Sequence, residues 1–270
     1  MFIDIKQEIQ KFKCNACGAC CSHIRGLSPQ EDKEFLKEYA FGKMPVVQVV
    51  PIERLTFPLW DWEAKRFMEW QKEASVDARI KPSRVIFDLN SNKTIILTYF
   101  MDSETDACPF LKENKCSVYH TKRAYICRLF PFNRGPFLGQ DKKFLKESLF
   151  GTCGAMEKIL PQVPEDFDKM IKFLNEAFPD GSFLNAVQND IVTEWANKII
   201  VDLIRKKMIR PAVGYPYDLL LKRINNAEKI DFTDFLVEIN YIDVEEKKSL
   251  INRFDSNTDA EEKIKNYKNF

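Results

Sequence analysis

Four thiols in eight residues, Cys14-Asn15-Ala16-Cys17-Gly18-Ala19-Cys20-Cys21, constrain this chain more than any other stretch. An exposed run of this kind oxidises or scrambles unless a metal holds it. Two residues between thiols let a tight turn aim both sulfurs at one centre, as in zinc knuckles and in the C-x2-C-x2-C opening of ferredoxin loops. Gly18 stands where such a loop needs a positive φ or a close backbone approach. A ferredoxin loop takes its next cysteine after three intervening residues, and that position is Ile24, so the local set is incomplete. In extended backbone, neighbouring side chains point to opposite sides. Cys20 and Cys21 are therefore expected not to serve one ion in the same way, one of them being structural or facing a second site.

The other four thiols are spread through Cys108-Pro109-Phe110-Leu111, Cys116-Ser117-Val118-Tyr119, Cys127-Arg128-Leu129-Phe130-Pro131-Phe132 and Gly151-Thr152-Cys153-Gly154. Those gaps are too long for one loop, so the thiols converge only if a domain folds around them. None of the eight lies beyond residue 153 of 270, which assigns the chemistry to the N-terminal part. With 41 basic and 40 acidic residues, charge gives no pull toward nucleic acid or membrane. The opening Met1-Phe2-Ile3-Asp4-Ile5-Lys6 is interrupted by charge where a signal peptide is apolar, and no later run reaches spanning length, so a cytoplasmic protein is expected. There, thiols serve metals more often than disulfides.

The pattern predicts an α+β protein: a cysteine-rich metal-binding domain over 1–160 with a β-hairpin, then a mainly helical region over 161–270 packed on it. Ser28-Pro29-Gln30-Glu31 carries helix-start chemistry, and Phe35, Leu36 and Tyr39 continue at helical spacing up to Gly42. Val46 to Pro51 reads as a short strand, and Leu59 to Ala74 as a helix whose aromatic stripe (Trp60, Trp62, Phe67, Trp70) belongs to the core. Two β-branched runs, 84–89 and 94–100, flank Asn90-Ser91-Asn92-Lys93 and predict the hairpin. Beyond Val163 the texture is helical. Helices are expected from Pro164 to before Pro179, from Ser182 to Lys207, and over 217–225, 232–239 and 244–254, with a charged, frayed tail from Ser256.

The cysteine motifs together resemble the CxxCxxCC, or YkgJ-type, family of zinc- or iron-chelating domains. The resemblance rests on Cys14, Cys17, Cys20 and Cys21, then on Cys108-Pro109-Phe110-Leu111, Cys116-Ser117-Val118-Tyr119, and Arg123 with Cys127-Arg128-Leu129-Phe130-Pro131. It spans about residues 10 to 155. Arg123 is followed here by Ala124 where the family has proline. One branch, the flagellin lysine N-methylases, is similar in its cysteine cluster, which implies a protein lysine N-methylase-like enzyme as one alternative. Only nine glycines are present, with no glycine-rich strand-to-helix turn for S-adenosylmethionine.

Eight thiols, Cys14, Cys17, Cys20, Cys21, Cys108, Cys116, Cys127 and Cys153, are thus the candidate metal ligands, with the N-terminal and mid-chain groups expected to share a site. The preferred cofactor is an iron-sulfur cluster of the 4Fe-4S type, because C-x2-C-x2-C and a separate Cys-Pro echo ferredoxin ligation. Zinc is the alternative, since it too accepts four thiolates. Arg123 and Arg128 are candidates to neutralise a thiolate-rich cluster, against a bland reading as carboxylate partners. His23 and His120 adjoin cysteine motifs but read as scaffold residues. Two function classes follow: an iron-sulfur redox or enzymatic module, with a protein partner or substrate docking on the helical region, or a zinc-stabilised binding protein. No nucleic-acid or membrane partner is expected.

Overall fold

The computed structural model describes residues 8–25, 30–36, 40–103, 105–119, 123–138, 145 and 153–267. It is a mixed helix and sheet protein built on a long antiparallel hairpin, β3 (Arg79–Asp88) and β4 (Lys93–Asp102). The short strand β1 (Val47–Gln48) pairs with the outer edge of β3. The other edge of β4 is shared end to end: β2 (Pro58–Trp60) runs antiparallel to Thr98–Phe100, and β7 (Lys229–Asp231) runs parallel to Thr94–Ile96. A separate two-stranded ribbon, β5 (Leu111–Lys112) and β6 (Lys115–Cys116), carries one of the thiols.

Near its turn both faces of the hairpin are covered, which is why residues 85–87 and 95–97 read as continuous apolar runs. Ile86, Ile95 and Leu97 pack with the helices α6 (Ser182–Arg205) and α8 (Phe232–Glu238). Val85, Phe87 and Ile96 point the other way, to Leu220 and Ile224 of α7 (Tyr217–Asn226). Further along β4, Met101 joins Phe57, Leu59, Phe110 and the buried Ala64 and Phe67 of α3 (Asp61–Ala74). A third core gathers Phe12, Leu129 and Phe132 against α5 (Phe167–Ala177), α6 and α10 (Thr258–Tyr267).

The hairpin is longer at its open end than the sequence predicts, β3 starting at Arg79 and β4 running to Asp102. Leu59 and Trp60, expected to open a helix, form β2 instead, because pairing with β4 holds them extended and the helix starts at Asp61. Val46 to Pro51 yields only the two strand residues of β1, after which Pro51 leads into a 3-10 turn, Ile52–Arg54. In the first predicted helix Gln30–Phe35 is helical (α2), while its Ser28-Pro29 start and Tyr39 lie outside the described residues. The expectation of a frayed tail is overturned: Thr258–Tyr267 is helical, and Ala260 and Ile264 are buried against α6. Gln188 of α6 fixes its start by accepting the Ala260 N–H at 3.0 Å.

Candidate metal centre

The N-terminal thiols enter the fold through Gly18. Its φ is +75°, and an added Cβ would lie 2.6 Å from the Asn114 carbonyl oxygen and 2.6 Å from Leu111 Cδ1. Only glycine fits a backbone so placed, and it seats the loop on the β5–β6 ribbon. One turn of helix follows, α1 (Ala19–Ser22), which places Cys20 and Cys21 on neighbouring positions of a coil rather than on opposite sides of a strand. Their Sγ atoms are 3.8 Å apart. Both line the same cavity, correcting the expectation that they face different ways.

Backbone pairing then locks this segment to the second cysteine group. Cys108 N–H donates to the Cys21 carbonyl at 2.7 Å, and Ile24 N–H donates to the Asp106 carbonyl at 2.9 Å. The Asp106 carboxylate accepts from the Ile24 and Arg25 amides and stands 2.8 Å from His23 Nδ1. Those contacts, His23 first, hold the Asp106 carboxyl below its usual range. His23 is therefore an exposed scaffold residue away from the cavity; His120 lies outside the described residues.

Cys127 is delivered by a third segment, α4 (Tyr125–Arg128). Its start is capped by Glu63, a buried carboxylate that accepts the Tyr125 N–H at 2.6 Å with one oxygen and the Trp60 N–H at 3.1 Å with the other. One side chain thus closes the capping box of α3 and caps α4 as well. Burial pushes Glu63 up to about 7, against the pull of those amides and of Arg128. Glu63 was not singled out from the sequence; its signal was a glutamate at the third position of α3. On the far side Tyr125 Oη donates to the Phe254 carbonyl, tying α4 to the end of α9 (Val244–Asp255).

The result is a cavity of about 80 Å³ whose wall includes Cys20, Cys21, Cys108, Cys116, Cys127 and Cys14, with Phe57, Phe67 and Phe110 behind them. The thiols crowd one another. A hydrogen bond to Cys108 is the main cause pushing Cys21 up to about 12, with burial and the nearby Cys116 adding to it. Cys20 is raised chiefly by its bond to Cys21, and Cys127 chiefly by burial among Cys21, Cys116 and Cys20. Arg123 lines the same cavity, stacks at 4.5 Å on the Tyr119 ring and donates to the Cys127 carbonyl at 3.4 Å. Arg128, the other predicted neutralising residue, does not line it: its guanidinium covers the Tyr125 ring at 4.4 Å and bonds Asp255, in keeping with the bland reading.

The remaining thiols form a second neighbourhood. Cys14 and Cys153 pack on the core that contains Phe12 and Phe178, whereas Cys21, Cys108 and Cys127 pack on the sheet-side core. Cys153 has Cys14 and Cys17 as its thiol neighbours, and Cys17 is exposed. Tyr119, pushed up to about 12 by burial and by its bond to Cys14, stands where the two neighbourhoods meet.

The donor chemistry fits a thiophilic metal: neutral thiols held together beside a cationic side chain are the protonated form of a thiolate site. Among the described residues, no group of three His, Cys, Asp or Glu side chains stands at coordinating geometry. No helix of the described residues is long and apolar enough to cross a membrane. Neither the curated proteins nor the solved structures contain a match to this chain. A family model, CxxCxxCC, described as a putative zinc- or iron-chelating domain, matches residues 13–153, from one residue before the first thiol to the last. Covering just over half of the chain and all eight cysteines, that match makes this protein a member of the CxxCxxCC family.

Proposed function

We propose that the cavity holds an iron-sulfur cluster of the 4Fe-4S type and that the protein is a redox or enzymatic accessory built around it. The observation that carries this reading is the convergence of six thiols, Cys14, Cys20, Cys21, Cys108, Cys116 and Cys127, on one cavity of about 80 Å³. That is several times the roughly 10–15 Å³ needed to admit a single water. These six thiols are the pool from which the ligands are drawn. Arg123 lies beside them to offset the negative charge of bound thiolates, which raises the potential of a cluster. The cluster, once bound, supplies one-electron chemistry. The aromatic wall of Phe57, Phe67 and Phe110 keeps the site dry.

A second reading, a zinc site that holds the fold of a binding protein, has one observation in its favour. The 3.8 Å between Cys20 Sγ and Cys21 Sγ is the separation of two thiolates on a tetrahedral ion with bonds of about 2.3 Å. Anaerobic purification separates the two readings. A brown protein with a broad absorbance near about 400 nm, containing iron and acid-labile sulfide in equal amounts, is the expected result. A colourless protein carrying one zinc per chain would overturn the cluster in favour of zinc.

A further inference from the structure

On the opposite face of the sheet lies a second cavity, of about 270 Å³, that the thiol site does not use. Alternate residues of β4 divide the two: Met101 packs on the thiol side, while Phe100 and Asp102 line the second cavity. Its existence follows from an irregularity in β3. Lys81 and Pro82 pair with Phe100 and Tyr99, then the register shifts at Pro82/Arg84 and again at Arg84/Val85. Gln48 Nε2 fills that bulge, donating to the Ser83 carbonyl and to Ser83 Oγ, both at 3.1 Å. The ladder with β1 ends at Arg84; Val49 N–H still donates to the Ser83 carbonyl at 2.9 Å, and beyond it the chain turns at Pro51 into the 3-10 turn Ile52–Arg54. The gap left behind is the cavity.

Its chemistry is lopsided. Three cationic side chains, Arg54, Lys81 and Lys229, face it, against one carboxylate, Asp102. The Asp102 side chain is only 3% exposed; it ion-pairs with Arg54 and sits 2.6 Å from Lys81 Nζ. A buried carboxylate between two cations fixes where both stand, at about half exposure, and leaves most of the five donors of arginine and three of lysine unused by it. Lys229, across the cavity, has its Nζ 3.0 Å from the Asn225 carbonyl. Val50, Val85, Phe100 and Ile224 give the rest of the wall an apolar surface.

We propose that this cavity binds a small organic anion, its carboxylate or phosphate head seated between Arg54 and Lys81 and a short apolar body lying on Phe100 and Val85 toward Ile224. The test is calorimetric titration of the full chain with hexanoate, n-butyl phosphate and, as neutral control, hexanol. One or both anions are expected to bind one site per chain, with an affinity that falls as salt rises from about 0.05 to about 0.5 M, and hexanol is not. Which head binds more tightly tells a carboxylate site from a phosphate site. Lys81→Met is expected to weaken binding by about tenfold or more, and Lys229→Glu, whose side chain is remote from Asp102, by less than about threefold with the melting temperature unchanged. Absence of binding by both anions up to about 10 mM, equal binding of hexanol, or an unaltered affinity in Lys81→Met overturns the proposal.

Discussion

At the scale of single residues, two positions show how narrowly local chemistry is set. Gly18 combines a positive φ with backbone contact to Asn114, and a carbonyl oxygen cannot swing aside as a side-chain tip does. Gly18→Ala is expected to cost about 1–3 kcal/mol and to lift Cys20 and Cys21 off the ribbon that carries Cys116. Melting temperature and metal content are expected to fall together; a variant equal to the parent in both would show that the approach is not tight. Asp61 is a different case. Its Oδ2 accepts both the N–H and the hydroxyl of Thr233, at 2.8 and 2.7 Å, while Oδ1 is buried without a hydrogen-bond partner among the described residues. Burial raises its pKa from 3.8 to about 6, the Thr233 bonds pulling the other way. A folded value above the unfolded one means that the stabilising contribution is complete below about pH 4 and is lost as pH rises to about 6. Asp61→Asn keeps an oxygen for Thr233 and removes the charge. It is therefore expected to leave stability near pH 4 unchanged and to raise it at pH 8 by about 1–2 kcal/mol, read from thermal unfolding at the two pH values.

Among elements, what the sequence discloses depends on whether an element is made locally. The β3–β4 hairpin was legible because β-branched runs flank an Asn-rich turn, and α5, α6 and α9 because apolar residues recur every three or four positions. Strands β2 and β7 were not legible. Each is three residues long and extended only by its pairing with β4, which no local pattern encodes. The grouping of the thiols was hidden for the same reason: the turn at Gly18 and the one-turn α1 place Cys20 and Cys21 with Cys116 and Cys127, and leave Cys17 near Cys153, with Cys14 lining the cavity and neighbouring Cys153 as well. Helix α10 was a misjudged pattern. Its charges suggested fraying, yet Ala260, Ile264 and Tyr267 recur at i, i+4 and i+7 and form a stripe that packs on the core of α5 and α6. Deleting residues 257–270 would uncover that core and remove the partner of Gln188 Oε1. A loss of about 2–4 kcal/mol is expected from Ile264 burial and the orphaned acceptor, measured by denaturant unfolding. A truncated chain as stable as the full one would mean that the stripe contributes nothing.

For the whole molecule, the thiol cavity is where three otherwise independent segments meet: 14–25, 106–119 and α4. Ligands as distant as Cys20 and Cys127 close a loop of more than a hundred residues, and metal binding free energy at such a site is folding free energy, about 10 kcal/mol or more by comparison with structural zinc. The three segments do not depend on the metal equally. Helix α4 is also held by the Glu63 carboxylate, by the Tyr125–Phe254 bond and by Arg128 on Asp255, so it stays docked on α3 and α9 when the metal is gone. Among the described residues, the segment 14–25 is held by the Gly18 seat, the links to Asp106 and Cys108 and the burial of Ile24, with no buried carboxylate cap like that of α4. Metal removal should therefore loosen 14–25 and 106–119 while the sheet and the helices beyond residue 166 persist. Cys127→Ser is expected to abolish metal content, to lower the melting temperature by more than about 5 °C and to speed amide exchange in those two segments alone. Cys153→Ser, outside the cavity wall, is expected to keep the metal of the thiol cavity. Elemental analysis and amide exchange on the two variants test the division. Retention of full metal by Cys127→Ser, or collapse of the whole sheet on its loss, would show that the cavity is not where the metal and the fold are coupled.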